Sequence, residues 1–140
     1  MKKITSKNSI DGLEIQQLLK KAGMGTHSPE LHKEAFENSY KIVLLYDEDS
    51  NRLIGCGRII SDGCYQGAVY DIAVDPDFQG LKLGNTIMNE LVTGMEEINL
   101  ILYASPGKED FYRKFNFRLG KTSMIKFQNA DLMQSRNYTD

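Results

Sequence analysis

The sequence predicts an α+β fold: a mixed, mostly antiparallel twisted sheet with one parallel βαβ pairing, flanked by helices. Three observations predict it. Two capped, amphipathic segments come first, one opening at Asp11 and one at Ser28-Pro29. Three β-branched or apolar runs follow, separated by short turns, which is the pattern of an antiparallel meander. The apolar period then lengthens to four residues between two strand-sized runs, which calls for a helix crossing between parallel strands.

Each element has a local reason. Asp11 can cap the next turn, Glu14 completes a capping box, and Ile10 can staple against Ile15. Leu18 and Leu19 extend that helix's apolar face, and Gly23 fits its stop. The second helix places Pro29 at its first position and runs through Leu31, Ala35 and Phe36. Strands are expected at 41–46, 52–60 and 65–74, with turn chemistry at 47–51 and 61–63. Leu83, Ile87, Leu91 and Met95 form the stripe of the crossover helix. A buried strand at 99–104, a short helix at 109–114 and a last strand from Phe117 towards Phe127 complete the expectation, with a loose tail after that. Met88, Met95 and Met124 read as core filler. All 140 residues read as a single domain.

Composition excludes several classes. Seventeen Lys and Arg oppose nineteen Asp and Glu, a formal net charge of −2. No global basic field is available to hold nucleic acid. The longest apolar runs, at 42–46 and 100–104, are strand-sized and far short of a membrane span. Met1-Lys2-Lys3-Ile4 has charge but no apolar run, so it does not read as a signal peptide. Cys56 and Cys64 form neither a metal-ligand spacing nor a disulfide framework, and His27 and His32 complete no metal motif. The expectation is buried or half-buried free thiols in a reducing cytoplasm, with no metal. A Ser-His-Asp hydrolase lacks its G-x-S-x-G elbow.

The most informative stretch is 71–85, the junction between the third strand and its helix. Pro76 ends the strand, having no N–H for the ladder. Gly80 and Gly84 allow a tight turn and close approach of a ligand. Gly84 stands at the opening of an amphipathic helix, where unpaired N–H groups and the positive dipole end favour phosphate oxygens. Lys82 adds a mobile positive charge. Such turns also occur without a ligand, so spacing alone leaves phosphate binding and a plain turn both open. A Walker A loop is excluded: Gly80 and Gly84 lie one residue too close, and Asn85 stands where its Lys belongs. The dinucleotide fingerprint G-x-G-x-x-G is absent.

Residues 74–84, Val-Asp-Pro-Asp-Phe-Gln-Gly-Leu-Lys-Leu-Gly, resemble motif A of the GCN5-related N-acetyltransferases, V-x-P-x-[YF]-[QR]-G-x-G-[IL]-G. Residues 111–117, Phe-Tyr-Arg-Lys-Phe-Asn-Phe, resemble that family's F-Y-x-x-x-G-F motif. The element order matches over nearly the whole chain. Residues 57–63, Gly-Arg-Ile-Ile-Ser-Asp-Gly, are similar to a bacterial and plastid subgroup that includes arylalkylamine-type acetyltransferases. Two positions depart from the pattern. Lys82 replaces the middle motif glycine, as a larger polar residue does in glucosamine-phosphate acetyltransferases. Asn116 replaces the glycine before the final Phe, a mild change because Asn tolerates left-handed backbone.

The resemblance implies a small bacterial-type enzyme that transfers an acetyl group from acetyl-coenzyme A to the primary amine of a small molecule, by direct attack in a ternary complex. Composition already leaves no metal, nucleic-acid or membrane partner expected, and the resemblance adds a homodimer as a family-level expectation. Backbone groups of Ile72, Ala73 and Val74 would pair with the pantetheine arm. Backbone N–H groups of Gln79, Gly80, Leu81, Lys82, Leu83 and Gly84, with Asn85 at the helix start, would hold the pyrophosphate. A strand N–H near Val74 would stabilise the oxyanion, and Tyr112 would protonate the leaving thiolate. Tyr70 and Asp71 occupy adjacent strand positions, so their side chains would point to opposite faces, and sequence leaves open which one meets the acceptor. Asp71 either relays the amine's proton through water or pairs structurally. Tyr103 and Ser105, and His27 in the loop between the first two helices, would line the acceptor pocket. Arylalkylamines, polyamines, amino sugars and amino acid derivatives are all open as acceptors. The alternatives are a non-catalytic acyl-coenzyme A-binding regulatory module and acetylation of a protein or peptide amine.

Overall fold

A computed structural model describes residues 1–140, which form two compact units, Met1–Leu102 and Tyr103–Asp140. The first unit carries a five-stranded sheet in the order β1-β2-β3-β4-β5: β1 (Lys2–Ile4), β2 (Lys41–Tyr46), β3 (Leu53–Ser61), β4 (Gln66–Val74) and β5 (Asn99–Ile101). The first four strands pair antiparallel, and β4 pairs β5 in parallel across helix α3, residues Leu83–Val92. The mixed sheet with one parallel pair matches the expectation.

Helices α1 (Gly12–Lys21) and α2 (Pro29–Glu37) start where their caps predict. Asp11 Oδ1 accepts from the N–H of Leu13 at 2.9 Å, and Ser28 Oγ accepts from Leu31 at 3.2 Å. Ile10, Ile15, Leu18 and Leu19 join Phe36 in one core with Ile42, Leu44, Cys56 and Ala73 of the sheet. The other face of the sheet receives α3, whose Leu83, Ile87 and Leu91 are buried as the four-residue stripe predicts. Residues 42–45 of β2 are therefore apolar without a break, because helices cover both faces. A Cβ on Gly57 would lie 2.6 Å from Ile72 Cδ1 and 2.7 Å from Ile87 Cγ2. That missing side chain is what lets α3 settle onto β3.

The second unit holds α4 (Glu109–Arg113) and α5 (Ala130–Ser135). Tyr103, Phe127 and Tyr138 form a mutually edge-on ring cluster with centroids 5.3–6.1 Å apart. The Tyr138 hydroxyl lies 3.2 Å from Ser105 Oγ.

The structure corrects several expectations. Residues 117–127 form no strand: Ser123 Oγ donates to Gly120 O in a turn, and Leu119 and Met124 are exposed. Met124, at 93% exposure, is not core filler, whereas Met88 and Met95 are. The strand at 99–104 stops at Ile101 and is not buried. It is an edge strand, and Ile101 is 66% exposed. The tail is not loose, since α5 is capped by Asn129 Oδ1 and Tyr138 joins the ring cluster. Strand β1 carries no sequence signal, because Lys-Lys-Ile is too short and charged to show a period; its pairing with β2 makes it a strand. In α2 the buried side chains are His32 and Phe36, while Leu31 is exposed. Of the two thiols, Cys56 is buried and Cys64 is exposed.

Candidate active site

The strand-to-helix junction is built by backbone conformation. Asp75 Oδ1 accepts from Asp77 N at 2.9 Å and caps a 3₁₀ turn, Pro76–Phe78. Asp75 is buried, and Lys21 Nζ of α1 reaches it at 3.0 Å and Asp77 at 2.7 Å. The loop thus hangs from α1 by an ion pair that the sequence did not announce. Gly80 holds φ +88°, with nothing within 4 Å of where a Cβ would stand. Lys82 is the N-cap of α3 and holds φ +57°, ψ +33°. The residue that replaces the motif glycine therefore keeps the left-handed backbone a glycine would supply. Asn116 does the same in the second unit, at φ +68°.

Gln79 to Gly84 wind into the start of α3, where Asn85 Oδ1 is buried without a hydrogen-bond partner. An unpaired buried acceptor at a helix start is a polar position still to be satisfied. Upstream, the β4–β5 ladder ends at Ala68 and Ile101. Backbone of Ile72, Ala73 and Val74 consequently has β3 on one side and no strand on the other.

Strict strand alternation would separate Tyr70 from Asp71, and this expectation is overturned. Cys56 pairs with Ala73 and Arg58 with Tyr70, so Gly57 alone stands opposite both Asp71 and Ile72. The extra residue is a β-bulge, and Asp71 absorbs it at φ +57°. Both side chains then meet Arg58: the Asp71 carboxylate at 2.7 Å from Nε, and the Tyr70 ring at 5.5 Å from the guanidinium carbon. Arg58 also lies over Phe36 at 5.6 Å. Nothing in the sequence marks Arg58 for this position; only the register brings it here.

His27 joins this side of the sheet through a second unannounced residue. Its backbone N–H donates to Nε2 of buried His32 at 2.9 Å, and its carbonyl accepts from Gln16 Nε2 at 2.8 Å. The charges of Asp71 and Arg58 both act on His32. His27, Tyr70 and Asp71 are thus gathered around Arg58 and His32. Tyr112 and Tyr103 belong to the second unit. There Tyr112 packs edge-on to Phe111 and Phe117, and its carbonyl accepts from the N–H groups of Phe115 and Phe117. Burial, and secondarily Tyr138, raise its phenol above the ordinary tyrosine value. Arg113 pairs with Asp110 at 3.3 Å, and Lys114 lies over the Phe111 ring.

Comparison with known proteins decides the family. Residues 38–119 match the acetyltransferase (GNAT) domain. The chain belongs to the GNAT family. This N-acetyltransferase is 33% identical over 119 residues to an uncharacterized N-acetyltransferase, ycf52, of Porphyra purpurea, spanning 81% of this chain and 68% of that protein. It is 31% identical over 120 residues to a chloroplastic serotonin N-acetyltransferase 2 of Oryza sativa subsp. japonica, of which it spans 60%. Its fold is similar to a probable acetyltransferase from meticillin-resistant Staphylococcus aureus, with a TM-score of 0.76 and 27% identity over 90% of this chain and all of that one. Glucosamine-6-phosphate N-acetyltransferase from Arabidopsis thaliana shares the fold at a TM-score of 0.66 and 20% identity, over 92% of this chain and all of that one. No helix of this GNAT protein is long and apolar enough to cross a membrane.

Proposed function

We propose that this N-acetyltransferase uses acetyl-coenzyme A to acetylate the primary amine of a small molecule, by direct attack in a ternary complex. The observation that carries this reading is the open edge at Ile72–Val74 leading into the left-handed turn at Lys82. An extended amide-bearing chain can pair with such an edge as an added strand. Phosphate oxygens suit the N–H groups that follow, at Gly80, Leu81, Lys82, Leu83 and Gly84, with Asn85 beside them, whereas the expected N–H of Gln79 already donates to Pro76 O at 3.4 Å. The bound thioester supplies an activated acetyl group.

The chain's own residues do the rest. The N–H of Val74 stabilises negative charge on the carbonyl oxygen, an effect worth about 3 kcal/mol per donor in other acyl-transfer sites. Tyr112, whose phenol is kept protonated by burial, gives its proton to the leaving sulfur. Tyr70 and His27 line the acceptor's path. Asp71 draws the ammonium in and takes its proton through water, while Arg58 on Oδ2 fixes the carboxylate's orientation. Among acceptors, an arylalkylamine is favoured by the likeness to the rice serotonin N-acetyltransferase. The reducing cytoplasm suits an exposed free thiol at Cys64.

A thiol-release assay with acetyl-coenzyme A and a panel of amines tests the reading, with release expected for at least one small primary amine. Coenzyme binding without turnover on any small amine or peptide would overturn it in favour of a binding module. Thermal unfolding offers a separate check, because a ligand at a hundredfold excess over its Kd adds about 2.7 kcal/mol.

A further inference from the structure

We propose that His32 is a positioning residue: its neutral Nε2 holds the His27 backbone, and with it the loop between α1 and α2, in the form that admits the acceptor amine. This rests on reading that loop as a wall of the acceptor site. The geometry is specific. A backbone N–H can only donate, so the 2.9 Å contact from His27 N requires a lone pair on Nε2 and places the ring proton on Nδ1. The carbonyl of the same residue is held from the opposite helix by Gln16 at 2.8 Å. One residue of the loop is therefore clasped between α1 and α2. Elsewhere the loop is loosely held: Gly23 and Gly25 have nothing within 4 Å of a Cβ position, and residues 25–28 are exposed.

Protonating Nε2 converts the acceptor into a second donor facing the amide N–H, and the clasp cannot persist. The charged and titratable groups facing His32 are Asp71 of β4, Arg58 of β3 and His27 of the loop. α1 contributes the uncharged Gln16. Burial opposes the charged ring, with Arg58 and His27 adding to that and Asp71 acting against it. The ring is thus neutral at neutral pH and charges only in acid. Acid release of the loop then weakens acceptor binding while the coenzyme loop, held by Asp75 and Lys21, is untouched.

Two variants and two readouts decide it. His32→Gln puts a carbonyl oxygen where Nε2 stands, keeping an acceptor that does not titrate, and His32→Phe fills the space without one. In the wild type, the acceptor KM is expected to rise relative to His32→Gln as pH falls through the titration of the folded ring, approaching about tenfold once it is charged, the size of one lost hydrogen bond. Taking the ratio of the two enzymes cancels the acceptor's own titration, and the KM for acetyl-coenzyme A should not follow. His32→Phe should show the raised acceptor KM at every pH. Independently of turnover, the His27 amide should lose hydrogen-exchange protection in acid in the wild type and not in His32→Gln. Equal pH profiles of His27 protection in the two proteins would overturn the clasp. Protection that follows His32 without any change in acceptor KM would overturn its link to the acceptor. Failure to acetylate any amine would remove the proposed function instead, and the exchange measurement would still decide the clasp.

Discussion

Arg58 Nε donates to Asp71 Oδ2 at 2.7 Å across a bulge in which Asp71 holds φ +57°. The side chains are only 15% and 25% exposed, so the pair is worth more than a surface salt bridge. Arg58→Met strands the carboxylate and is expected to cost about 2 kcal/mol in urea unfolding, less than for a fully buried pair because both side chains keep some solvent. A loss near zero would show the pair to be incidental.

Gly57 is the position where a single methyl group should hurt most. Its Cβ would stand 2.6 Å from Ile72 Cδ1, 2.7 Å from Ile87 Cγ2 and 2.9 Å from Leu91 Cδ1. Gly57→Ala is expected to destabilise by about 1–3 kcal/mol, since three buried side chains must shift together. Thermal or urea unfolding measures it.

The left-handed positions predict opposite signs. Lys82 at φ +57° carries a strain that glycine lacks, so Lys82→Gly should stabilise by up to about 1 kcal/mol. Gly80 at φ +88° has open space around it, so Gly80→Val isolates backbone strain and should destabilise by about 1 kcal/mol or more. Two changes of the same sign would contradict this backbone account.

Burial holds the Tyr112 phenol above its ordinary value, so the proton stays available through neutral and mildly alkaline pH. As general acid, Tyr112 should show its alkaline loss of kcat only above about pH 10. Tyr112→Phe should lower kcat by about 100-fold or more with a smaller effect on KM. An unchanged kcat above pH 7 would remove Tyr112 from the mechanism.

His32 also makes stability depend on pH. Its folded pKa lies below the unfolded value of about 6.5, so the unfolded chain binds the proton more readily in acid. Its contribution is complete above that value and is lost as pH falls through it, until the folded ring also titrates. The slope is at most about 1.4 kcal/mol per pH unit. His32→Gln should flatten this part of the curve, and urea midpoints between pH 5 and 8 will show whether it does.

The caps at Asp11 and Ser28, the stripe from Leu83 to Leu91 and the meander were legible because each rests on neighbours in the chain. The expected strand at 117–127 failed for the converse reason: Phe117 and Phe127 suggested an apolar run, but a strand exists only if another accepts its hydrogen bonds. Likewise β1 carries no signal of its own and is a strand because β2 offers it an edge.

By itself the sequence determined the mixed sheet, the two motifs and the candidate loop from Gln79 to Gly84, since these depend on local spacing. Tertiary structure alone decided how Tyr70, Asp71 and His27 come together with Arg58 and His32. Placing two residues opposite Gly57 turned Asp71 onto the same face as Tyr70 and delivered both to Arg58, and packing α2 over the sheet put His32 beneath His27. Register and helix packing are long-range choices, and no spacing along one strand or helix records which residue of another will meet it.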